Sequence, residues 1–364
     1  MRMTDVTERN GMGDAEVIPL RGAGGRPRPR PTPRRRGVVG AQPPGEPAGG
    51  TGASGTDGGI VDEQGAPGGE VATIPAGPLA PSQPSELEAA VSEVVDFLRR
   101  RLAGRYSVDE FGFDPDLNEN VILPVLRPLY ERWFRVETIG VENVPAHGGA
   151  LLVANHSGTL PLDALMTVVA THDDLPTPRN LRMLAADLVF GMPGFGAVAR
   201  KAGHTLACNP DAEKLLGSGE LVGVWPEGFK GIGKAYADRY KLQRFGRGGF
   251  VSAALRTGVP IIPCSIVGAE EIYPKIGDLG PIARLLGVPY FPITPTWPLL
   301  GPLGLVPLPS KWYIEFGEPI RTDEFEPGAA DDPMLVFNLT DQVRENIQQT
   351  LYRLLSGRRN AFLG

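Results

Sequence analysis

Beyond residue 135 the chain is organised around five short apolar runs, Val136–Ile139, Ala150–Ala154, Leu221–Trp225, Ile261–Val267 and Trp312–Phe316. Runs of this length suit strands covered on both faces and are too short for core helices. Helical stretches separate most of them, so residues 136–364 are expected to form an α/β domain, a mixed sheet flanked by helices. Val336, Leu339, Val343, Ile347, Leu351 and Leu354 recur at helical spacing, and a helix from about Met334 to Leu355 is expected to close the domain.

Two further segments precede it. In residues 85–135, Ser85-Glu-Leu-Glu88 has the spacing of a capping box, and Leu87, Val91, Val94, Leu98 and Leu102 make one apolar stripe. A second helical stretch, roughly Leu117 to Arg135, is interrupted near Pro124 and Pro128 and mixes Tyr130, Trp133 and Phe134 with Arg127, Arg132 and Arg135. That mixture suits a helical portion facing a membrane interface, and equally a helix that packs its aromatics into the core. Residues 1–84 contain 31 Gly or Pro and no aromatic residue, so the segment is expected to be a disordered tail. Its Arg26–Arg36 run reads first as a solvated Pro-rich linker, with anionic lipid or RNA as the alternative partner.

The tail holds nine Arg and nine acidic residues, so the formal net charge of −6 falls on residues 85–364 and argues against a domain that grips nucleic acid over a broad face. Cys208 and Cys264 have neither pairing nor metal-type spacing, as expected in a reducing compartment. No basic-then-apolar leader opens the sequence, and the expectation is a cytoplasmic protein, peripheral or monotopic on the inner face of the cell membrane. Leu285–Pro309 is 25 residues without a charge, long enough to span a bilayer, but seven prolines remove backbone donors throughout it. The open alternatives are a shallow apolar surface on the membrane, the wall of an acyl-chain tunnel, or a loop buried in the core.

The sharpest chemical signal is Asn155-His156-Ser-Gly-Thr-Leu-Pro-Leu-Asp163, which leaves a strand, turns and enters a helix expected to begin at Pro161. Open α/β sheets place ligands at the carboxyl ends of their strands. There an imidazole can take a hydroxyl proton, while a carboxylate on its other nitrogen fixes the tautomer. A structural histidine is the alternative. A second strand ends in Trp225-Pro-Glu227-Gly228-Phe-Lys230-Gly231, where a carboxylate and an ammonium could hold acceptor hydroxyls or a phosphate, or simply form a polar turn. Lys230, Lys234, Arg239, Lys241, Arg244 and Arg247, interleaved with Tyr236, Tyr240 and Phe245, form a basic stretch that suits phosphates or a solvated face. Gly228 to Lys234 imitates a P-loop, but Ala235 stands where a magnesium-binding hydroxyl is required. No Gly-x-Ser-x-Gly elbow or zinc-type cluster is present.

Asn155-His156, Gly196-x-x-x-Arg200, Pro226-Glu-Gly228 and Val259-Pro-Ile-Ile-Pro263, supported by Phe316-Gly-Glu-Pro-Ile320, occur in an order that resembles the lysophospholipid acyltransferase family, which includes the 1-acylglycerol-3-phosphate acyltransferases. The resemblance covers about 185 residues and is more specific in combination than any single block. It implies a glycerolipid-acyltransferase-like fold and an acyl donor that is an acyl-CoA or acyl-carrier-protein thioester. The acceptor would be a membrane lipid, and the partners a membrane surface without nucleic acid. It further implies His156 and Asp163 as the catalytic pair, with Arg200, Glu227, Gly228 and Lys230 at the acceptor. No metal or other cofactor is expected, because a thioester is already reactive. Two departures bear on the acceptor. Six residues separate His156 from Asp163 where the family usually has four, a form similar to the monoacylglycerol and diacylglycerol acyltransferase branch. On a continuous helix this spacing would put the two groups about 10 Å apart, so Ser157–Leu160 has to be a non-helical turn if they are to meet. Phe229-Lys230 also stands where Thr-Arg is usual in phosphate-binding members. A lysophospholipid, a neutral acylglycerol or other lipid alcohol, and a non-catalytic membrane-associated relative are therefore the readings carried forward.

The composition of residues 1–84 generates one prediction: their removal leaves the melting temperature of the remainder essentially unchanged in differential scanning fluorimetry. A large drop would show that part of the folded domain lies within the tail.

Overall fold

The computed structural model describes residues 86–192, 194–246 and 248–363. The expected tail over residues 1–84 and the capping residue Ser85 lie outside the described residues. Helix α1 (Glu86–Leu102) ends in Arg99, Arg100 and Arg101. Arg101 forms a two-pronged pair with buried Asp114, at 2.6 and 2.8 Å, while the stripe residues Val91, Val94, Leu98 and Leu102 remain exposed. The next stretch runs from α2 (Pro115–Leu117) through α3 (Leu123–Pro128) without stopping at its prolines. Wider π-helical turns at Asn118–Ile122 and Leu129–Trp133 flank α3. A proline clashes with the carbonyl four residues earlier and lacks an N–H, and widening the helix accommodates both defects. Tyr130 and Phe134 are buried in the core, whereas Trp133 is half-exposed with its Nε1–H on the Pro307 carbonyl at 3.0 Å.

The sheet begins with β1 (Glu137–Ile139) and β2 (Ala150–Ala154), followed by α4 (Leu162–Val169), β3 (Leu181–Ala185), α5 (Asp187–Gly191), α6 (Phe195–Lys201) and β4 (His204–Leu206). Helix α7 (Asn209–Gly217) leads to β5 (Leu221–Val224), and α8 (Phe229–Ile232) and α9 (Gly249–Thr257) lead to β6 (Ile261–Val267). A small hairpin of β7 (Gly277–Asp278) and β8 (Pro292–Ile293) encloses α10 (Gly280–Leu286), and β9 (Tyr313–Phe316) precedes the closing helix α11 (Pro333–Gly357). The strand order is β1-β9-β6-β2-β5-β3-β4. From β6 to β4 all neighbours are parallel, while β9 runs antiparallel to β6 and parallel to β1, which makes the sheet mixed.

β2 lies between β5 and β6 and is buried at all five positions. Leu152 and Ala154 join the core that holds Met166, Val169 and Trp312, whereas Leu151 and Val153 face Leu215, Val251, Val343 and Ile347 on the opposite side. Because helices cover both faces, the strand has no polar alternation. Arg182, at 1% exposure, pairs with Asp109 at 2.7 Å and fastens the segment after α1 to β3. The uncharged run is not core: Leu285, Leu299 and Leu303 are 84%, 83% and 72% exposed. Among the described residues no helix is long and apolar enough to cross a membrane.

Candidate active site at the carboxyl edge of the sheet

Parallel β2, β5 and β6 end on one edge, and the loops after β2 and β5 carry His156 and Glu227. Asn155 extends β2 by side-chain pairing, with its Nδ2 on the Ile266 carbonyl at 3.0 Å and its Oδ1 accepting from Ile266 N–H at 2.7 Å. The sheet is thereby locked up to the residue before His156. The chain then turns: Gly158 and Thr159 have φ of +95° and +65°, and Leu160 and Leu162 donate to the carbonyls of Gly158 and Leu160 two residues back. Helix α4 starts only at Leu162, so Asp163 faces back toward the strand end.

This turn brings His156 and Asp163 together. His156 Nδ1 lies 2.8 Å from Asp163 Oδ2. The fully buried carboxylate also accepts from Ser157 N–H at 2.9 Å and from Ala164 N–H at 2.8 Å. Three polar contacts hold and aim it, and a carboxylate on Nδ1 selects the tautomer with the proton there and the lone pair on Nε2. Nε2 has no protein partner among the described residues, and the His156 side chain is 13% exposed. His172, by contrast, has both ring nitrogens on carboxylates of Glu119 and Asp173. His204 is pushed down to about 4 by burial and contacts the Ala199 carbonyl. Among the described residues only His156 combines a buried carboxylate with an open nitrogen.

The acyltransferase family model matches residues 135–267, a span that holds both residues. An uncharacterized protein of Mycobacterium tuberculosis is 64% identical over 281 residues, covering 77% of this chain and 78% of its own length. One of Mycobacterium leprae is 62% identical over 280 residues, covering 77% and 76%. The chain belongs to the acyltransferase family. More distantly, the Bos taurus DGAT1/2-independent enzyme synthesizing storage lipids is 26% identical over 193 residues, 52% of this chain and 54% of that one. The crystal structure of the 1-acyl-sn-glycerophosphate acyltransferase PlsC from Thermotoga maritima aligns with a TM-score of 0.44 at 18% identity, covering 75% of this chain and 98% of that one.

In this acyltransferase Glu227 is placed differently from the acceptor-facing position expected of it. It is 4% exposed, and Oε1 accepts from His156 N–H at 2.9 Å while Oε2 accepts from Gln243 N–H at 2.6 Å. Its carboxylate therefore faces inward and holds the backbone of the histidine. Gly228 is exposed at φ +55° and ψ −144°, a conformation accessible to glycine, and it turns the chain so that Lys230 points outward. Arg200, exposed at the end of α6, stacks its guanidinium over the Phe190 ring at 4.6 Å. Neither cation has a carboxylate partner among the described residues, and no hydrogen bond or ion pair there joins them to His156, Asp163 or Glu227.

Sequence reasoning missed the buried support of the site. Lys234, placed in the basic stretch, is 2% exposed and lies 3.5 Å from Glu227 and 2.9 Å from Glu270, which follows β6. Burial disfavours the Lys234 ammonium, but the charges of Glu270 and Glu227 outweigh it and hold its pKa above the usual lysine value. Burial pushes the Glu270 carboxyl up to about 7 against the pull of Lys234. A Cβ on Gly231 would stand 2.7 Å from both the Glu227 Cβ and the His156 carbonyl, and 2.9 Å from the His156 Cβ. The Glu-Gly-x-x-Gly spacing was the available signal for that close approach. Among the described residues no group of three or more His, Cys, Asp or Glu side chains is placed to hold a metal.

Two predictions follow from this geometry. Gly231→Ala forces His156 and Glu227 apart and lowers kcat about 100-fold with a smaller effect on KM in an acyl-transfer assay; near-normal turnover would show that the close packing is unimportant. The Glu270 carboxyl titrates at 4.5 without its folded surroundings and at about 7 within them. In that window the folded state binds a proton that the unfolded state has lost, so stability falls as pH rises from about 4.5 to about 7 and is level above it. Urea unfolding at about pH 5 and about pH 8 should show wild type losing stability relative to Glu270→Gln across the window; a difference that does not change with pH contradicts the assignment.

Proposed function

We propose that this acyltransferase moves a fatty acyl group from a thioester, carried by coenzyme A or an acyl-carrier protein, to the hydroxyl of a glycerolipid-type acceptor drawn from a membrane surface. The observation that carries this reading is the His156–Asp163 pair, with Nδ1 on a buried carboxylate and Nε2 open. Nε2 takes the acceptor hydroxyl proton as the oxygen attacks the thioester carbonyl carbon. The Asp163 carboxylate on Nδ1 stabilises the imidazolium. The tetrahedral intermediate then collapses with cleavage of the C–S bond, and the imidazolium returns the proton to the leaving thiolate. The products are one ester and one free thiol. Glu227 acts as a positioning residue through the His156 N–H.

A lysophospholipid is the acceptor this reading takes first. Arg200 and Lys230 supply exposed positive charge without carboxylate partners among the described residues, as a phosphate requires. A neutral acylglycerol or other lipid alcohol is the second reading. Phe229, 38% exposed beside Lys230, supports it, as do the long His156–Asp163 spacing and the storage-lipid activity named for the bovine relative.

The test is thiol release from acyl-CoA with lysophosphatidate or monoacylglycerol. His156→Ala should abolish turnover with the protein still folded, and Asp163→Asn should lower kcat about 10²–10⁴-fold. Near-normal turnover of His156→Ala would remove the mechanism, and a wild type that releases no thiol with any lipid acceptor would point to a non-catalytic relative. Arg200→Ala should raise KM about tenfold for lysophosphatidate and barely for monoacylglycerol. Equal effects would assign Arg200 to the fold or the donor and favour the neutral acceptor.

A further inference from the structure

Residues 276–309 form an arm that leaves the body after Tyr273 and returns before β9. It contains the β7–β8 hairpin, α10 and a 3₁₀ turn at Gly301–Leu305. Leu285, Leu299 and Leu303 are 84%, 83% and 72% exposed, with Ile276, Leu286 and Leu300 also more than half exposed. No charge occurs from Leu285 to Pro309. A protein partner would need a rim of hydrogen-bonding and charged groups around an apolar centre. Hydrocarbon needs none, and the arm carries only two charged residues, Asp278, paired with Lys275 at 3.0 Å, and exposed Arg284, so its apolar surface has the chemistry of a lipid-facing one.

The root of the same arm touches the catalytic turn. Tyr290 OH donates to the Thr159 carbonyl, and Thr159 Oγ1 donates to the Tyr273 carbonyl at 3.1 Å. Tyr273 OH in turn donates to the Leu305 carbonyl. The Tyr290 ring lies under Lys275 Nζ at 4.7 Å and beside Gly233, whose added Cβ would meet it at 3.2 Å. Tyr290 therefore stands between the His156–Asp163 turn and the end of the helix that follows Glu227. Thr159 is β-branched at φ +65°, a conformation that persists only where its surroundings enforce it. Two tyrosines of the arm and its root supply that restraint.

We propose that residues 276–309 are a lipid-docking arm and that Tyr290 is a positioning residue linking the seating of this arm on a bilayer to the geometry of the His156–Asp163 turn. The proposal rests on the acyl-transfer reading for its kinetic consequence and is independent of it for the docking. The probe is neutral phosphatidylcholine vesicles, at low salt and at about 0.5 M salt, because uncharged docking is insensitive to screening. The full-length protein should co-sediment equally at both. Leu285→Ser/Leu299→Ser/Leu303→Ser should bind these vesicles at least about tenfold more weakly and show a raised KM for an acceptor presented in them. Tyr290→Phe should bind vesicles like wild type but lose about tenfold in kcat. Amide hydrogen exchange across residues 156–163 should slow on vesicle addition in wild type and not in Tyr290→Phe. Undiminished sedimentation of the triple variant, or a concentration-dependent dimer that buries these leucines without lipid, would overturn the docking arm. Unchanged kcat and exchange in Tyr290→Phe would overturn the link. If wild type releases no thiol with any acceptor, the acyl-transfer reading fails, while sedimentation and exchange still decide the arm.

Discussion

A carboxylate removed from water costs several kcal/mol unless charge and hydrogen bonds replace its hydration. Glu227 meets this requirement with the N–H groups of His156 and Gln243 and the ammonium of Lys234. These partners come from the loop after β2, the loop before α9 and the end of α8, so satisfying one buried charge fixes three segments of the catalytic edge relative to one another. Lys234 extends the joint to Glu270 beyond β6. Farther along, Glu271 pairs with Arg358 at 3.1 Å, which brings the C-terminal end of α11 into the same network. Removing one member of such a network strands its partners, so loss of Lys234 would leave Glu227 and Glu270 with their backbone N–H donors but no opposing charge.

The rigidity of that joint explains how a seven-residue step from His156 to Asp163 gives a close pair. The two anchors of the turn, Asn155 on β6 and Asp163 at the start of α4, are each held by two or more hydrogen bonds. Between them the backbone takes positive φ at consecutive residues. Gly158 is required there for space as well as for φ, since a Cβ would come within 2.8 Å of the Ala269 carbonyl. The turn thus packs against the segment that carries Glu270 and Glu271, and the strained residues are supported from outside the motif. With six intervening residues rather than four, this longer form needs neighbours to hold it.

Much of this was legible in the chain itself. β2 and β6 coincide with their apolar runs, because strands buried on both faces leave a continuous signal. β3 and β4 were not visible: Leu181-Arg-Met-Leu-Ala185 has no β-branched residue and contains Arg182, whose charge is buried against Asp109, and His204–Leu206 is three residues long. Pro124 and Pro128 signalled interruptions that the fold absorbs as wider turns. At the site, His156 and Asp163 could be named from pattern, and so could the need for a non-helical turn between them. The inward direction of Glu227 and the burial of Lys234 could not, because a lysine in a run of basic residues looks the same whether it faces water or two carboxylates from other loops. The P-loop-like glycines around it serve close packing instead, as Gly231 against His156 shows.

The division of charge between interior and surface bears on how this site selects an acceptor. Lys234 and Arg358 are committed to buried carboxylates, so they hold shape and cannot respond to a ligand. Arg200 and Lys230 are exposed, and their attraction to a phosphate is weakened by water and salt. Exposed cations of this kind contribute more to the capture and orientation of an anion than to a bond-making step. Leu160 and Phe229, on the loops that carry His156 and Glu227, are 40% and 38% exposed. Both loops thus expose an apolar side chain, Phe229 beside exposed Lys230, and such side chains gain from contact with hydrocarbon whichever headgroup follows. On the proposed acyl-transfer reading, discrimination between phosphorylated and neutral acceptors would rest on the two surface cations, and the preference for a lipid over a water-soluble alcohol on these apolar side chains.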